Sequence, residues 1–445
     1  MKRILDAHLL KWKASARRKP LVIRCVRQVG KTYSVMKSGN TRFEGIALVN
    51  LERNPEWHRL FEGNLAAARI CADLEIVLGQ RIVPGKTLLF IDEIQACPKA
   101  VTALRYFYEE MPDLHVIAAG SLIEFAMRDL AFPVGRLQFL HLGPLCFAEY
   151  LMATGAHEAA AAVLGPPGPV SETVHAFLCD HLRRYFFIGG MPESVKAFVE
   201  TGSMQEAFAV QAEICETYRL DFAKYKPQTD HRCLNGVLGA IARGVGQQIK
   251  YARLADGYAN LTLKKAFELL CLANLVGKVP AADPSGLPLG AGASSKIFKA
   301  LMVDIGLMRY LAGMPVDVEY AKADLLGIYR GAMAEQFVGQ ELALSQDQGP
   351  YFWSRREKSS TAEVDYLAVA DGHIHPVEVK SGASGTLKSL HLFLKTYPNC
   401  PDGIVLSMRP YAVLSDQKIR FIPLYFAFSA GGGQDHGVCS GPVSV

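Results

Sequence analysis

Short apolar runs separated by segments of helical spacing set the rhythm of the first third of the chain. The runs are LVIR at 21–24, IALVNL at 46–51, TLLFID at 87–92 and HVIAAGS at 115–121. Continuous apolar strands alternating with amphipathic helices predict a parallel sheet with crossover helices over residues 1–150, an α/β fold. GPPGP at 165–169 interrupts the pattern as a linker or loop insertion. Residues 151–229 then read as helical, broken sharply at Gly189-Gly190 before Met191-Pro192-Glu193. From 230 to 320 the order is helix LNGVLGAIARGV, a polar turn, LTLKKAFELLCLANLVGKV running from helix into strand, a flexible loop, and a returning strand in KIFKALMVDIG. Helix, turn, helix and two strands fit a winged-helix-like unit, a module that binds DNA in some proteins and only protein in others. Residues 321–429 open with helix GAMAEQFVGQELAL and continue as a last α/β unit. The small, polar stretch AGGGQDHGVCSGPVSV predicts a disordered tail over 430–445.

Composition narrows the class. A chain of 445 residues, 50% hydrophobic and 20% charged, is an ordinary folded protein of about three domains. No apolar run is long enough to cross a bilayer, and the N-terminus lacks the h-region of a secretory signal. The ten cysteines are scattered without a C-x-x-C pair, which points to unpaired thiols in a cytoplasmic setting. The net charge of +5 is uneven: Lys2, Arg3, Lys11, Lys13, Arg17, Arg18 and Lys19 face one acid, Asp6, in residues 1–19. Such an arm suits nucleic acid or an acidic partner. It also suits the solvated face of a first helix that packs Ile4, Leu5, Leu9, Leu10 and Trp12 inward.

The chemistry concentrates after the first and third runs. A strand, a loop ending Gly30-Lys31-Thr32, and a helix form a phosphate cradle, because helix N-termini offer unsatisfied N–H groups to anions. Arg27, Gln28, Val29 and Gly30 line the loop, Lys31 supplies a point charge for the β- and γ-phosphates of ATP, and Thr32 supplies a hydroxyl ligand for Mg²⁺. Asp92 at the end of TLLFID is placed for the same Mg²⁺, and Glu93 to polarise the attacking water. In G-x-x-x-x-G-K-[ST] the first glycine falls at position 25, which is Cys25. If that position needs left-handed dihedrals the side chain costs about 1–2 kcal/mol, and Cys25→Gly then tightens ATP binding. Its thiol is also a candidate redox sensor. Ser121, after AAG, reads as a γ-phosphate sensor or as a helix N-cap, and Arg136 as a charge-stabilising arginine acting in cis or across a subunit interface, or as a surface residue.

RQVGKT, FIDEIQ, AAGSLIEF, FPVGR, IGGMPE and VEVKSG, in this order, resemble the bacterial and archaeal AAA-type ATPases that carry a C-terminal region of unknown function. The resemblance covers residues 1–428. It implies a P-loop NTPase core, a winged-helix middle and a restriction-endonuclease-like α/β end, where the family pattern has glycine at the position of Cys25.

The C-terminal carboxylates also follow from strand geometry. Asp371-Gly372 is a two-residue hairpin signal. Setting Ala370 opposite His373 brings Asp365 opposite Glu378, at a non-hydrogen-bonded pair with Cα atoms about 4.5 Å apart, and Glu363 opposite Lys380. Facing carboxylates repel, and Mg²⁺ with oxygen ligands relieves that. The D…E-x-K pattern resembles the PD-(D/E)xK nucleases, with Asp365 and Glu378 as metal ligands, Lys380 at the scissile phosphate and Glu335 as the extra acidic ligand. The other readings are a solvated sheet face holding a Glu363–Lys380 ion pair, and a non-cutting fold that only binds nucleic acid. His373 and His375 share the opposite face and read as ordinary surface or core residues. Taken together the sequence predicts an ATP- and Mg²⁺-dependent ATPase coupled to a C-terminal module that binds DNA or RNA, forms homo-oligomers and avoids membranes. The alternative is an ATP-dependent switch whose C-terminal half only recognises a partner.

Overall fold

The computed structural model describes residues 1–125, 135–225, 230–314, 327–346, 349–357, 360–381 and 386–432. Most of the expected tail, from 433 onward, lies outside the described residues. The chain divides into two compact units: residues 2–143 with 272–274, and residue 1 with 144–271 and 275 onward.

The first unit runs α1 (Leu5–Ala14), β1 (Leu21–Cys25), α2 (Lys31–Arg42), β2 (Gly45–Asn50), α3 (Ala67–Leu78), β3 (Thr87–Asp92), α4 (Pro98–Glu110), β4 (His115–Gly120) and β5 (Gln138–Leu142). Its five strands form one sheet in the order β2-β3-β4-β1-β5, every pairing parallel. Central β3 and β4 are buried at every residue, which is why they read as unbroken apolar runs. Edge strand β5 alternates instead, with Phe139 and His141 outward. Phe61, Ile70, Leu74, Val101, Leu104 and Phe107 from the flanking helices pack on the sheet. This is the parallel sheet with flanking helices of a P-loop NTPase.

The basic arm is tied to this unit. Leu5, Leu9 and Trp12 are buried, while Leu10 is exposed. Arg3 is buried and donates to the carbonyls of Val29 (3.0 Å) and Gly143 (2.7 Å). Lys13 donates to the carbonyl of Arg42 at the C-terminus of α2, and Arg18 to Pro112 and Asp113 just past α4. Cations at helix C-termini complement the helix dipole. These residues are occupied within the unit, as the packed-helix reading expects.

The second unit continues with α5 (Phe147–Ala153), α6 (His157–Leu164), α7 (Glu172–Ile188), α8 (Pro192–Thr201), α9 (Met204–Tyr225), α10 (His231–Arg243), α11 (Asn260–Leu272), β6 (Val276–Ala282), β7 (Ala293–Met302), α12 (Ile305–Leu311) and α13 (Gly327–Ser345). It ends with β8 (Tyr351–Glu357), β9 (Ser360–Ala370), β10 (His373–Lys380), α14 (Lys388–Thr396), β11 (Gly403–Ser407), β12 (Ala412–Leu414), β13 (Ile419–Pro423) and α15 (Ala427–Ala430). Eight strands form one mixed sheet, β12-β13-β11-β10-β9-β8-β6-β7. The antiparallel β6–β7 pair, expected as the two strands of a winged-helix-like unit, joins the C-terminal strands through the parallel pair Ala281–Phe352. Burial of Val279, Ala281 and Ala282 makes that edge worth covering.

The Gly189-Gly190 break has a steric cause. Asp304, fully buried, caps α12 through the Leu307 N–H (3.0 Å) and accepts the Gly190 N–H (2.6 Å). A Cβ on Gly190 would stand 2.1 Å from the Leu145 carbonyl oxygen. The same loop returns Leu145 N–H to the Gly190 carbonyl at 2.7 Å.

Candidate functional site

Three strand ends meet along the C-terminal edge of the first sheet, where ligands bind in open α/β folds. β1 runs into the 26–30 loop, β3 ends at Asp92, and β4 delivers a buried Ser121. Gly30 stands at the N-cap of α2 in the left-handed region (φ 79°), with no side chain capping the helix. The first-turn amides are left without a side-chain acceptor, as an anion requires. Two non-glycine residues here also have positive φ, Gln28 (65°) and Glu93 (52°). Such strain clusters at functional sites.

The polar side chains converge. Thr32 Oγ1 donates to Asp92 Oδ2 at 2.7 Å, and Lys31 Nζ lies 3.0 Å from Asp92 Oδ1 and 2.5 Å from Glu93 Oε1. Gln95 donates its amide to Glu93 Oε2 at 2.6 Å, so both Glu93 oxygens are held. Burial works to lower the Lys31 ammonium, but the facing Glu93 and Asp92 carboxylates override it and hold its pKa above the ordinary lysine value. Burial likewise works to raise Glu93, and Lys31 with Gln95 holds it below the usual carboxylate range. Thr32 and Asp92 offer adjacent hard oxygen donors, a set that fits Mg²⁺.

Two readings of this region need correction. Cys25 is the extended last residue of β1, paired with Leu142 and 1% exposed, and is absent from the positive-φ positions. The loop places its left-handed residues at 28 and 30, so no strain falls on Cys25. Burial pushes its thiol up to about 12, which removes the thiolate a redox sensor needs. Arg136 precedes β5, and its Nε lies 3.2 Å from Glu109 Oε1 at the end of α4. That is the opposite edge of the parallel sheet from Lys31, so it has no route to the same subunit's phosphates.

Residues 17–151 match the family model described as an AAA domain. This segment is an AAA-type P-loop ATPase domain. Beyond the ATPase domain, residues 179–317 and 330–426 each match a domain of unknown function (DUF8612 and DUF4143). No curated protein is found similar to the chain. Among solved structures the chain is similar to a Walker-type ATPase of Pyrococcus abyssi, with 15% identity, a TM-score of 0.44, and 70% of this chain and 95% of that one covered. It is also similar to a RuvB variant of Thermotoga maritima, with 14% identity, a TM-score of 0.26, and coverages of 62% and 87%. No helix among the described residues is long and apolar enough to cross a membrane.

The second cluster lies beyond the ATPase domain, in the mixed sheet. Asp371 (φ 50°) and Gly372 (φ 74°) make the two-residue turn between β9 and β10, and the ladder runs from Ala370–His373 to Tyr366–Val377. It stops one pair short of the expected Asp365–Glu378 pairing. A register shift where β9 meets β8, between the Leu367–Tyr351 and Val364–Trp353 pairs, twists β9 there. Asp365 Oδ2 instead accepts the Val379 N–H at 2.8 Å. Glu335, Glu363, Asp365 and Glu378 still gather, but around a residue the sequence reading passed over. Lys299 Nζ, on β7, lies 2.8 Å from Glu335 Oε1, 2.7 Å from Glu363 Oε1 and 3.8 Å from Asp365 Oδ1. Burial opposes the Lys299 charge, and Glu335, Asp365 and Glu363 raise its pKa above the usual value. Lys380 Nζ lies 2.6 Å from Glu378 Oε1 rather than on Glu363. Burial, reinforced by Asp365, pushes Glu378 up to about 7, and the same two causes push Glu335 to about 7.

These oxygens do not fit a resident divalent metal. The facing oxygens of Glu335 and Glu363 lie on an ammonium, and among the described residues no group of three or more His, Cys, Asp or Glu is arranged to hold a metal ion. Lys299 had one sequence signal, a charged residue inside the buried run of KIFKALM. Gln95 and Arg3 had none beyond membership of FIDEIQ and of the basic arm.

Proposed function

We propose that the chain hydrolyses ATP at Lys31, Thr32, Asp92 and Glu93. Its nucleotide state would be transmitted to a winged-helix-like and nuclease-like C-terminal half that binds nucleic acid without cutting it. The observation that carries the first part is the Lys31–Glu93–Asp92 contact set at the mouth of the 26–30 loop. A γ-phosphate takes the Lys31 ammonium away from Glu93, and the freed carboxylate, steadied by Gln95, accepts a proton from the attacking water. The amides of Lys31 and Thr32 with Gly30, Arg27, Gln28 and Val29 cradle the phosphates. Mg²⁺, held by Thr32 and Asp92 when bound, neutralises phosphate charge. Ser121 senses the γ-phosphate from β4. Arg136, exposed on the far edge, acts only on a neighbouring copy's nucleotide in a homo-oligomer.

The Lys299 contacts favour the non-cutting reading of Glu335, Asp365, Glu378 and Lys380. ATP turnover with and without DNA or RNA tests the whole reading. Lys31→Ala is expected to lose ATP binding. Glu93→Gln is expected to bind ATP while turnover falls about 100-fold or more. Wild-type turnover equal to that of Lys31→Ala would overturn the ATPase assignment. Stimulation by nucleic acid supports the coupling; indifference to both DNA and RNA hands the C-terminal half to a protein partner. Metal-dependent cleavage lost in Asp365→Ala would overturn the non-cutting reading.

A further inference from the structure

We propose that the Lys299 ammonium is the built-in cation of the C-terminal carboxylate cluster and keeps divalent metals out of it. Four carboxylates, Glu335 on α13, Glu363 and Asp365 on β9 and Glu378 on β10, crowd together beside Lys299. Uncompensated, they would repel one another strongly in so little water. A divalent ion is one remedy, and a tethered ammonium is another. Lys299 reaches two of the carboxylates at 2.7 and 2.8 Å and a third at 3.8 Å, with its side chain 2% exposed.

The Lys299 stem is fixed as firmly as its head. Its backbone pairs with Val279 across β6–β7 and bridges Gln248 on the other side. Its ammonium stands 5.0 Å over the Phe352 ring. Gln248 in turn donates to Glu363 Oε2 at 2.7 Å, turning Glu363 Oε1 toward the ammonium. So deeply covered a cation cannot meet an external phosphate, so its work is internal.

The oxygens left over do not make a second site. Asp365 Oδ2 is taken by the Val379 N–H and Glu378 Oε1 by Lys380. Within the cluster, Glu378 Oε2 is buried without a hydrogen-bond partner among the described residues. Mg²⁺ or Mn²⁺ needs about six oxygens at about 2.0–2.2 Å, and cannot share a position with an ammonium. The inference shares its cluster with the non-cutting reading and rests on that reading only for the choice of cluster. Metal occupancy and strand cleavage are separate readouts, so either can fail alone.

The test is a Mn²⁺ titration of the full chain without nucleotide, following free Mn²⁺ by electron paramagnetic resonance. Wild type and Asp365→Asn are expected to give the same isotherm, any weak ion near Thr32 and Asp92 being common to both. Lys299→Met keeps the stem and removes the charge. It is expected to gain one Mn²⁺ site, about tenfold or more tighter than any in wild type. Adding Asp365→Asn to it should abolish that site. Mn²⁺ should raise the melting temperature of Lys299→Met by more than any shift it gives in wild type. A wild-type Mn²⁺ site removed by Asp365→Asn overturns the proposal. So does a folded Lys299→Met that gains no site. If Lys299→Met fails to fold at every Mn²⁺ concentration, Lys299→Met with Glu363→Gln, which carries one carboxylate fewer, is read by the same two criteria.

Discussion

Cys25 carries a side chain where the phosphate-loop pattern has glycine, yet the backbone there is plain strand. The residue is buried to 1% and continues the β1–β5 ladder. Glycine at this point would open a small void and loosen a strand without relieving any strain. Cys25→Gly is therefore expected to lose about 1–3 kcal/mol of stability while its ATP affinity stays within about twofold of wild type. Urea unfolding and a fluorescent-nucleotide titration on the same preparation check both halves. A clear gain in affinity would restore the strain argument. Residue identity alone pointed to Lys31, Thr32, Asp92 and Glu93, because a short motif and a strand ending in two acids bring them to one sheet edge. It did not point to Lys299, whose partners are 36 to 66 positions away along the chain and meet it only through β7, α13 and β9.

Elements followed from periodicity where one physical demand dominated. The parallel strands were legible because burial on both faces forces continuous apolar runs. The hairpin register was legible as far as Tyr366–Val377 because Asp371-Gly372 permits one tight turn. Beyond that pair the register shift between β8 and β9 took control, and no local signal marks it. The Gly189-Gly190 break was legible as an interruption, but its reason, the buried Asp304 and the Leu145 carbonyl, comes from distant chain. A methyl group at position 190 meets backbone, which cannot swing aside. Gly190→Ala is expected to cost more than about 3 kcal/mol or to abolish soluble folding, as judged by denaturant midpoint and yield. A loss below about 1 kcal/mol would mean that the loop relaxes freely.

Across the whole molecule, stability depends on carboxylates sealed in the second unit. Glu341 is buried, accepts the Phe147 N–H at 3.0 Å, and burial pushes it up to about 8, against the pull of that N–H. Burial likewise pushes Asp304 up to about 6, opposed by the Gly190 N–H. Each folded-state value is raised, so the folded protein holds a proton that the unfolded chain has already released. Stability therefore falls as pH rises, from about 4.5 to about 8 for Glu341 and from about 3.8 to about 6 for Asp304, with a slope of up to about 1.4 kcal/mol per pH unit for each proton. Urea midpoints at several pH values are expected to show this decline, and Glu341→Gln, which keeps the acceptor oxygen, to make it shallower up to about pH 7, where Glu335 and Glu378 add their own share, and to remove it between about pH 7 and about pH 8. An unchanged slope in that variant would remove Glu341 as its source. The sequence by itself determined the parallel α/β sheet and the phosphate-cradle residues, because these are written in local periodicity and short motifs. Only the tertiary structure decided that Cys25 is unstrained, that Arg136 stands at the far edge, that β6 and β7 join an eight-stranded sheet, and that an ammonium lies among the C-terminal acids. Each of those depends on where distant segments meet, and the spacing of residues along one strand carries no record of what packs across from it.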